Sequence, residues 1–236
     1  MIVVPQTAQL VNTEPDPETF KQMRTLDFDL LRNAQDSLKN AVHVLAWPDG
    51  PESEKLKQAI LSVWHCAELL LKERVRRINP GYIYQNRKGS SNVRTITSER
   101  AIFLLESIGN IAIDTKDKQA LEECRNIRNQ IEHNEFSLTQ KEAKVAVGKM
   151  LSFIFTFGSE ELACNLEDEF KSDDTWEMLL NELYEFTDEY GSRINARLYA
   201  EGILTDTCPN CGQETVDLSG GFCALCGHYC TQSGDN

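Results

Sequence analysis

Arg125-Asn126-Ile127-Arg128-Asn129-Gln130-Ile131-Glu132-His133 is the stretch on which the reading of this chain turns. In and just before it, Ala120, Cys124, Ile127 and Ile131 fall at intervals of 4, 3 and 4. That spacing lays one apolar stripe along a helix, and a helix is predicted over about 115–134. Asn129 and His133 stand one turn apart on another side of it, and Arg128 flanks the stripe.

The neighbouring segments keep the same period. An amphipathic run over about 17–46 carries Phe20, Met23, Leu26, Leu30, Leu31, Leu38, Val42 and Leu45. It ends in the dense turn Trp47-Pro48-Asp49-Gly50-Pro51. A second helix is expected over about 52–78, through Leu56, Ile60, Val63, Ala67, Leu70 and Val75, with Asn79-Pro80-Gly81 as its stop. Residues 82–96 read as a polar basic loop containing Tyr82, Tyr84 and Gly89-Ser90-Ser91. A short helix over about 98–108 precedes a turn at Gly109-Asn110. Beyond the motif, Thr139 and Glu142 form a capping box for a helix that Gly158 is expected to end. One long helix should follow over about 174–200, its Trp176, Leu179, Leu183, Phe186, Tyr190, Ile194 and Leu198 close to heptad spacing. That face must pack on the bundle or on a second subunit. Strand patterning is confined to the tail. The expected class is all-α, with a flexible leader at 1–16, a helical bundle at 17–158, an acidic helical extension at 159–204 and a zinc ribbon at 205–236.

A chain of 236 residues can bury one substantial core and carry a small appendage. Its 41% hydrophobic and 8% aromatic content excludes a disordered polymer. Met1 to Leu10 lacks a basic region and is broken by Pro5, so no signal peptide is expected. The most apolar stretch, Met150 to Phe157, is too short to span a bilayer. A soluble cytoplasmic protein with no membrane partner is the expectation. The net charge of −13 is unevenly spread. Eight basic residues between Lys72 and Arg100 face only Glu73 and Glu99, whereas twelve acidic residues between Ser159 and Tyr190 face Lys171 alone. A nucleic acid would meet the local field of the first segment, and Tyr82 and Tyr84 add stacking platforms to it.

Three of the eight cysteines, Cys66, Cys124 and Cys164, lie singly in helical patterns, and five crowd into the tail. Reduced core thiols and a metal cluster fit this better than disulfides. Cys208-Pro-Asn-Cys211-Gly and Cys223-Ala-Leu-Cys226-Gly are two knuckles separated by eleven residues. A glycine after each second cysteine lets backbone amides turn toward the thiolates of a tetrahedral four-cysteine site, so a structural zinc ion on Cys208, Cys211, Cys223 and Cys226 is expected. His228 and Cys230 read as spare residues beside it. From Glu201 to Asn236 there is no Lys or Arg. The ribbon should therefore repel phosphates and serve a structural or protein-binding role. The bundle is expected to keep its fold when the metal is stripped, and the ribbon to lose it.

RNA cleavage by transesterification needs a base for the 2′-OH, an acid for the 5′-oxygen and a cation for the phosphorane. Imidazole can serve the first two steps and guanidinium the third, while Asn129 can orient the ring or hold a phosphate oxygen. No metal is needed at such a site. On the second helix His65, Glu68, Lys72 and Arg76 form a polar stripe at spacings of 3, 4 and 4. It reads either as a solvated face of ordinary ion pairs or as substrate-binding residues, with Glu68 orienting Arg128 and Lys72 and Arg76 tracking phosphate.

Arg-Asn-x3-His near a helix end resembles the signature of the HEPN ribonucleases. The long helical pair, the motif helix with another helix after it, and Ala67-Glu68-Leu69-Leu70-Leu71-Lys72 are similar to that family over about 17–158. The resemblance implies a metal-independent endoribonuclease with Arg128, Asn129 and His133 as catalytic residues. It also implies a homodimer whose motif helices meet in one composite cleft for an RNA substrate, and a bacterial toxin, antiphage or stress-response role. Some toxin members place Tyr two residues after the His, where this chain has Glu135 followed by Phe136, so control by modification of that tyrosine is not expected. The alternative is a non-catalytic HEPN interaction module that docks a partner protein through the ribbon and acidic helices.

Overall fold

The computed structural model describes residues 29–45, 53–85, 94–133, 135–171 and 174–230. The leader at 1–16, the first part of the 17–46 helix, the turn at 47–51 and Gly89-Ser90-Ser91 lie outside the described residues. Seven α-helices among the described residues carry the fold, and a small three-stranded sheet follows them. No described helix is long and apolar enough to cross a membrane.

α1 (Leu30–Leu45) lies antiparallel on α2 (Ser53–Ile78). The two side-chain contacts between them give the direction: Ser37 meets His65 at 2.8 Å and Asn40 donates to Ser62 at 2.8 Å. Asn79 then stops α2 by accepting the Gly81 amide at 2.8 Å. After α3 (Ser98–Ser107), α4 (Thr115–His133) carries the motif. Its Ala120, Cys124 and Ile131 are buried, as the stripe requires, and burial pushes the Cys124 thiol up to about 12. α5 (Gln140–Leu162) begins with the expected capping box, in which the Thr139 hydroxyl accepts the Glu142 amide and the Glu142 carboxylate accepts the Thr139 amide.

Three expectations fail locally. Gly158 does not end α5, which runs on to Leu162. The glycine is instead where the helix is approached closely, since a Cβ there would lie 2.7 Å from the Leu166 side chain. The stop is Ala163, whose left-handed φ of 51° lets the Cys164 amide return to the Gly158 carbonyl at 2.9 Å. The long C-terminal helix is two helices, α6 (Asp174–Glu182) and α7 (Tyr184–Ala200), broken at Leu183. The Thr187 hydroxyl donates to the Leu180 carbonyl at 2.7 Å and satisfies a group that the break frees. The near-heptad face is buried on both sides of the break, and it packs on the bundle of the same chain. The basic loop contains a hairpin, β1 (Tyr84–Gln85) with β2 (Arg94–Thr95), too short to show any alternation in the sequence.

Phe155 of α5 is the centre of the core beneath α6 and α7. Trp176, Phe186 and Tyr190 surround its ring at centroid distances of 5.5, 5.6 and 5.7 Å. Gly148 admits the start of α7, because a Cβ there would lie 2.8 Å from the Phe186 amide nitrogen. The acidic segment is built into the same structure: Glu167 is buried and accepts the Tyr190 hydroxyl at 3.1 Å.

At the far end of α2, Glu73 is 1% exposed. It receives Arg76 at 2.7 and 2.9 Å and Arg77 at 3.0 Å, and Arg77 also donates to the Leu162 carbonyl at 2.7 Å. Burial acts to raise the Glu73 pKa, but the hydrogen bonds from both guanidiniums outweigh it and hold the carboxyl below its ordinary value. A lowered folded pKa gives stability that is present above the unfolded value of about 4.3 and lost as pH falls through the folded one. Urea unfolding at pH 7 and below pH 4 should therefore show a smaller acid-induced loss in Glu73→Gln than in the parent protein.

Candidate functional site

The motif residues share the last two turns of α4. Arg128 donates to the Asn129 side-chain oxygen at 3.0 Å and pairs with Glu132, one turn on, at 2.8 Å. Glu132 also approaches His133 Nε2 at 3.9 Å. The His133 side chain is 70% exposed at the final residue of the helix, so its ring is open to a substrate. Arg193 of α7 anchors the other end of α4 by gripping Asp117 at 2.5 and 3.1 Å. The cation, amide and imidazole are thus brought together on the surface.

The expected substrate-binding stripe lies elsewhere. α4 runs antiparallel along α2, since Ile131 shares a cavity with Leu56 and Ile60 while Leu121 and Arg125 share another with Trp64. Arg76 is sixteen residues beyond Ile60 in one continuous helix, about 24 Å at about 1.5 Å per residue. Glu68 pairs with Lys72 at 2.9 Å, and Lys72 is nearly buried and donates to Thr95 at 3.0 Å. Arg74 pairs with Glu161 at 3.1 Å, and Arg76 and Arg77 hold Glu73. Arg87 and Lys88 lie outside the described residues. Within one chain, the α2 part of the basic segment lies toward the opposite end of α2 from His133, whereas Glu99, at the other end of the segment, pairs with Arg125 of α4.

The four tail cysteines converge. Their sulfurs all lie within 4.8 Å of one another, with Cys208 to Cys226 at 3.6 Å and Cys211 to Cys223 at 3.7 Å. A tetrahedral ion with sulfur ligands at about 2.3 Å has ligand–ligand edges of about 3.8 Å, so the set fits a metal ion. The two knuckles have the same backbone. Gly212 and Gly227 take φ of 73° and 75°. Their amides return to the Cys208 and Cys223 carbonyls at 2.9 and 2.8 Å. The Cys208 and Cys223 amides bond in turn to the Gln213 and His228 carbonyls at 2.8 and 2.9 Å. The hydrogen bond between the Cys226 and Cys223 thiols lowers Cys223 below the ordinary thiol range and raises Cys226 above it, and burial pushes Cys211 up, so an ion binding here must displace protons from the set. Strands β3 (Thr205–Asp206), β4 (Val216–Asp217) and β5 (Phe222–Cys223) carry the knuckles.

Sequence reasoning missed how this centre joins the helices. Trp176 Nε1 donates to the Leu225 carbonyl at 2.8 Å, in the buried interior. Gly191 of α7 lies against Gln213, where a Cβ would fall 2.7 Å from the side-chain oxygen. Leu225, Val216, Cys208 and Cys223 belong to the same buried cluster as the helical core. Comparison with models of protein families, with curated proteins and with solved structures gave no match to this chain.

Metal removal should therefore lower the unfolding midpoint of the helices as well as loosen the tail, as thermal circular dichroism with and without a chelator will show. Trp176→Phe leaves the buried Leu225 carbonyl without its donor, a cost of about 1–3 kcal/mol, and should speed metal release to a chromogenic chelator.

Proposed function

We propose that this protein is a HEPN-type endoribonuclease that cleaves RNA without metal at Arg128, Asn129 and His133, and that its four-cysteine centre holds a structural zinc ion. The observation that carries the reading is the gathering of a guanidinium, an amide and an exposed imidazole on the final turns of one anchored helix. The His133 imidazole takes the proton of the 2′-OH, the 2′-oxygen attacks phosphorus, and the P–O5′ bond breaks as the resulting imidazolium gives its proton to the 5′-oxygen. The products are a 2′,3′-cyclic phosphate and a 5′-hydroxyl. Arg128 turns from Glu132 to the phosphate and stabilises its developing charge. Two copies pair with their motif helices facing, so that each supplies Arg128 and His133 to a shared cleft. A cytoplasmic toxin or antiphage effector is the biological role that the family resemblance favours.

A non-catalytic interaction module is the second reading. It is favoured by the pairing of Arg128 with Glu132, which occupies the guanidinium that catalysis requires.

The test is cleavage of total RNA by the full chain. His133→Ala and Arg128→Ala should each lower the rate by about a hundred-fold or more without lowering the unfolding midpoint. Activity should survive EDTA and leave cyclic phosphate ends, and mixing His133→Ala with the parent protein should depress activity beyond dilution. Undiminished cleavage by His133→Ala would overturn the enzymatic reading.

A further inference from the structure

Immediately past the motif, the chain forms one wall of a cavity of about 270 Å³. Leu56 and Ile60 of α2, Ile131 of α4, and Phe136 and Leu138 of the following link line it. Phe136 is 40% exposed and is not among the residues of the buried core. It follows His133 by three residues, so their Cα atoms are at most about 11 Å apart. Glu54 and Lys57 stand on the rim with opposite charge, which leaves no net field to select an ion, and Gln140 adds an amide donor and acceptor.

The volume is below the roughly 300–1,000 Å³ of sites for larger ligands and suits one ring system. An apolar slot with an aromatic wall and an amide in its lining is how proteins hold an unstacked base of single-stranded RNA. We propose that this cavity is a base-binding subsite, in which a nucleobase next to the scissile phosphate enters over Ile131, stacks on Phe136 and presents its edge to Gln140. This rests on the ribonuclease reading for the identity of the strand.

The full chain should be titrated with the four nucleoside 3′-monophosphates while the methyl resonances of Ile60, Ile131 and Leu138 are followed. At least one nucleotide should shift them, its affinity should fall about ten-fold in Phe136→Ala, and Phe136→Tyr should retain it. RNA cut by Phe136→Ala should also lose base preference beside the cleavage point. Methyls unmoved by all four nucleotides, affinity unchanged in Phe136→Ala, or shifts that track protein concentration alone would each overturn the subsite. The two readings fail separately. Cleavage that persists without methyl shifts removes the pocket and leaves the ribonuclease, whereas methyl shifts with undiminished cleavage by His133→Ala remove the catalytic assignment and leave a nucleotide site.

Discussion

Trp176 makes the contact on which the rest of the structure leans. Its ring packs edge-on against Phe155 at 5.5 Å and against Phe186 at 5.6 Å, and its indole N–H reaches the four-cysteine tail at Leu225. One side chain thus holds α5, α6, α7 and the ribbon in register. Loss of a core aromatic of this kind costs about 3–5 kcal/mol. A domain's whole margin is about 5–15 kcal/mol. The ribbon is therefore part of the protein's core and not a pendant module. The four thiolates and the aromatic cluster stabilise one another through a single buried hydrogen bond and the packing around it.

The distribution of charge looks different once the partners are known. Eight cations in a short stretch suggest a surface for a polyanion, yet Arg74, Arg76 and Arg77 neutralise Glu161 and Glu73, and Lys72 neutralises Glu68. A carboxylate as buried as Glu73 needs such partners, because an unpaired buried charge is far more costly than an exposed ion pair is favourable. Much of the basic segment is accordingly internal structure that fastens α2 to the end of α5. Near the candidate site, Arg125 is taken up by Glu99 and Arg128 by Glu132.

Much of the helical pattern could be read from residue spacing. The ends of α2, α3 and α4 agree to within a residue or two, because Asn79-Pro80-Gly81, Thr97 and the apolar stripe of α4 act locally. The errors arise where tertiary contact overrides local preference. Gly158 signals a stop by composition but serves the close approach of Leu166. Leu183 satisfies the heptad spacing, yet the helix breaks there, and Trp176 before the break and Phe186 and Tyr190 after it close on the same Phe155 ring. The convergence of the four cysteines was legible because CxxCG fixes its own backbone through two positive-φ glycines. The surroundings of His133 were not, since the cavity walls come from residues some eighty positions apart, Leu56 to Phe136 and Leu138.

The dependence of α5 on residues far downstream bears on the order in which the chain is made. During synthesis α1 to α5 leave the ribosome first, and domains tend to organise from the N-terminal side. At that moment Phe155 presents an uncovered aromatic face, because Trp176, Phe186 and Tyr190 are still to come. Closure waits for α6 and α7, and their clamp at Leu225 waits for the second knuckle, Cys223 to Cys226. A nascent protein of this design stays sticky until its last described segment has emerged, and an ion held by the four cysteines would complete the closure. Its yield in a cell would then follow metal supply during translation, not only the stability of the finished fold.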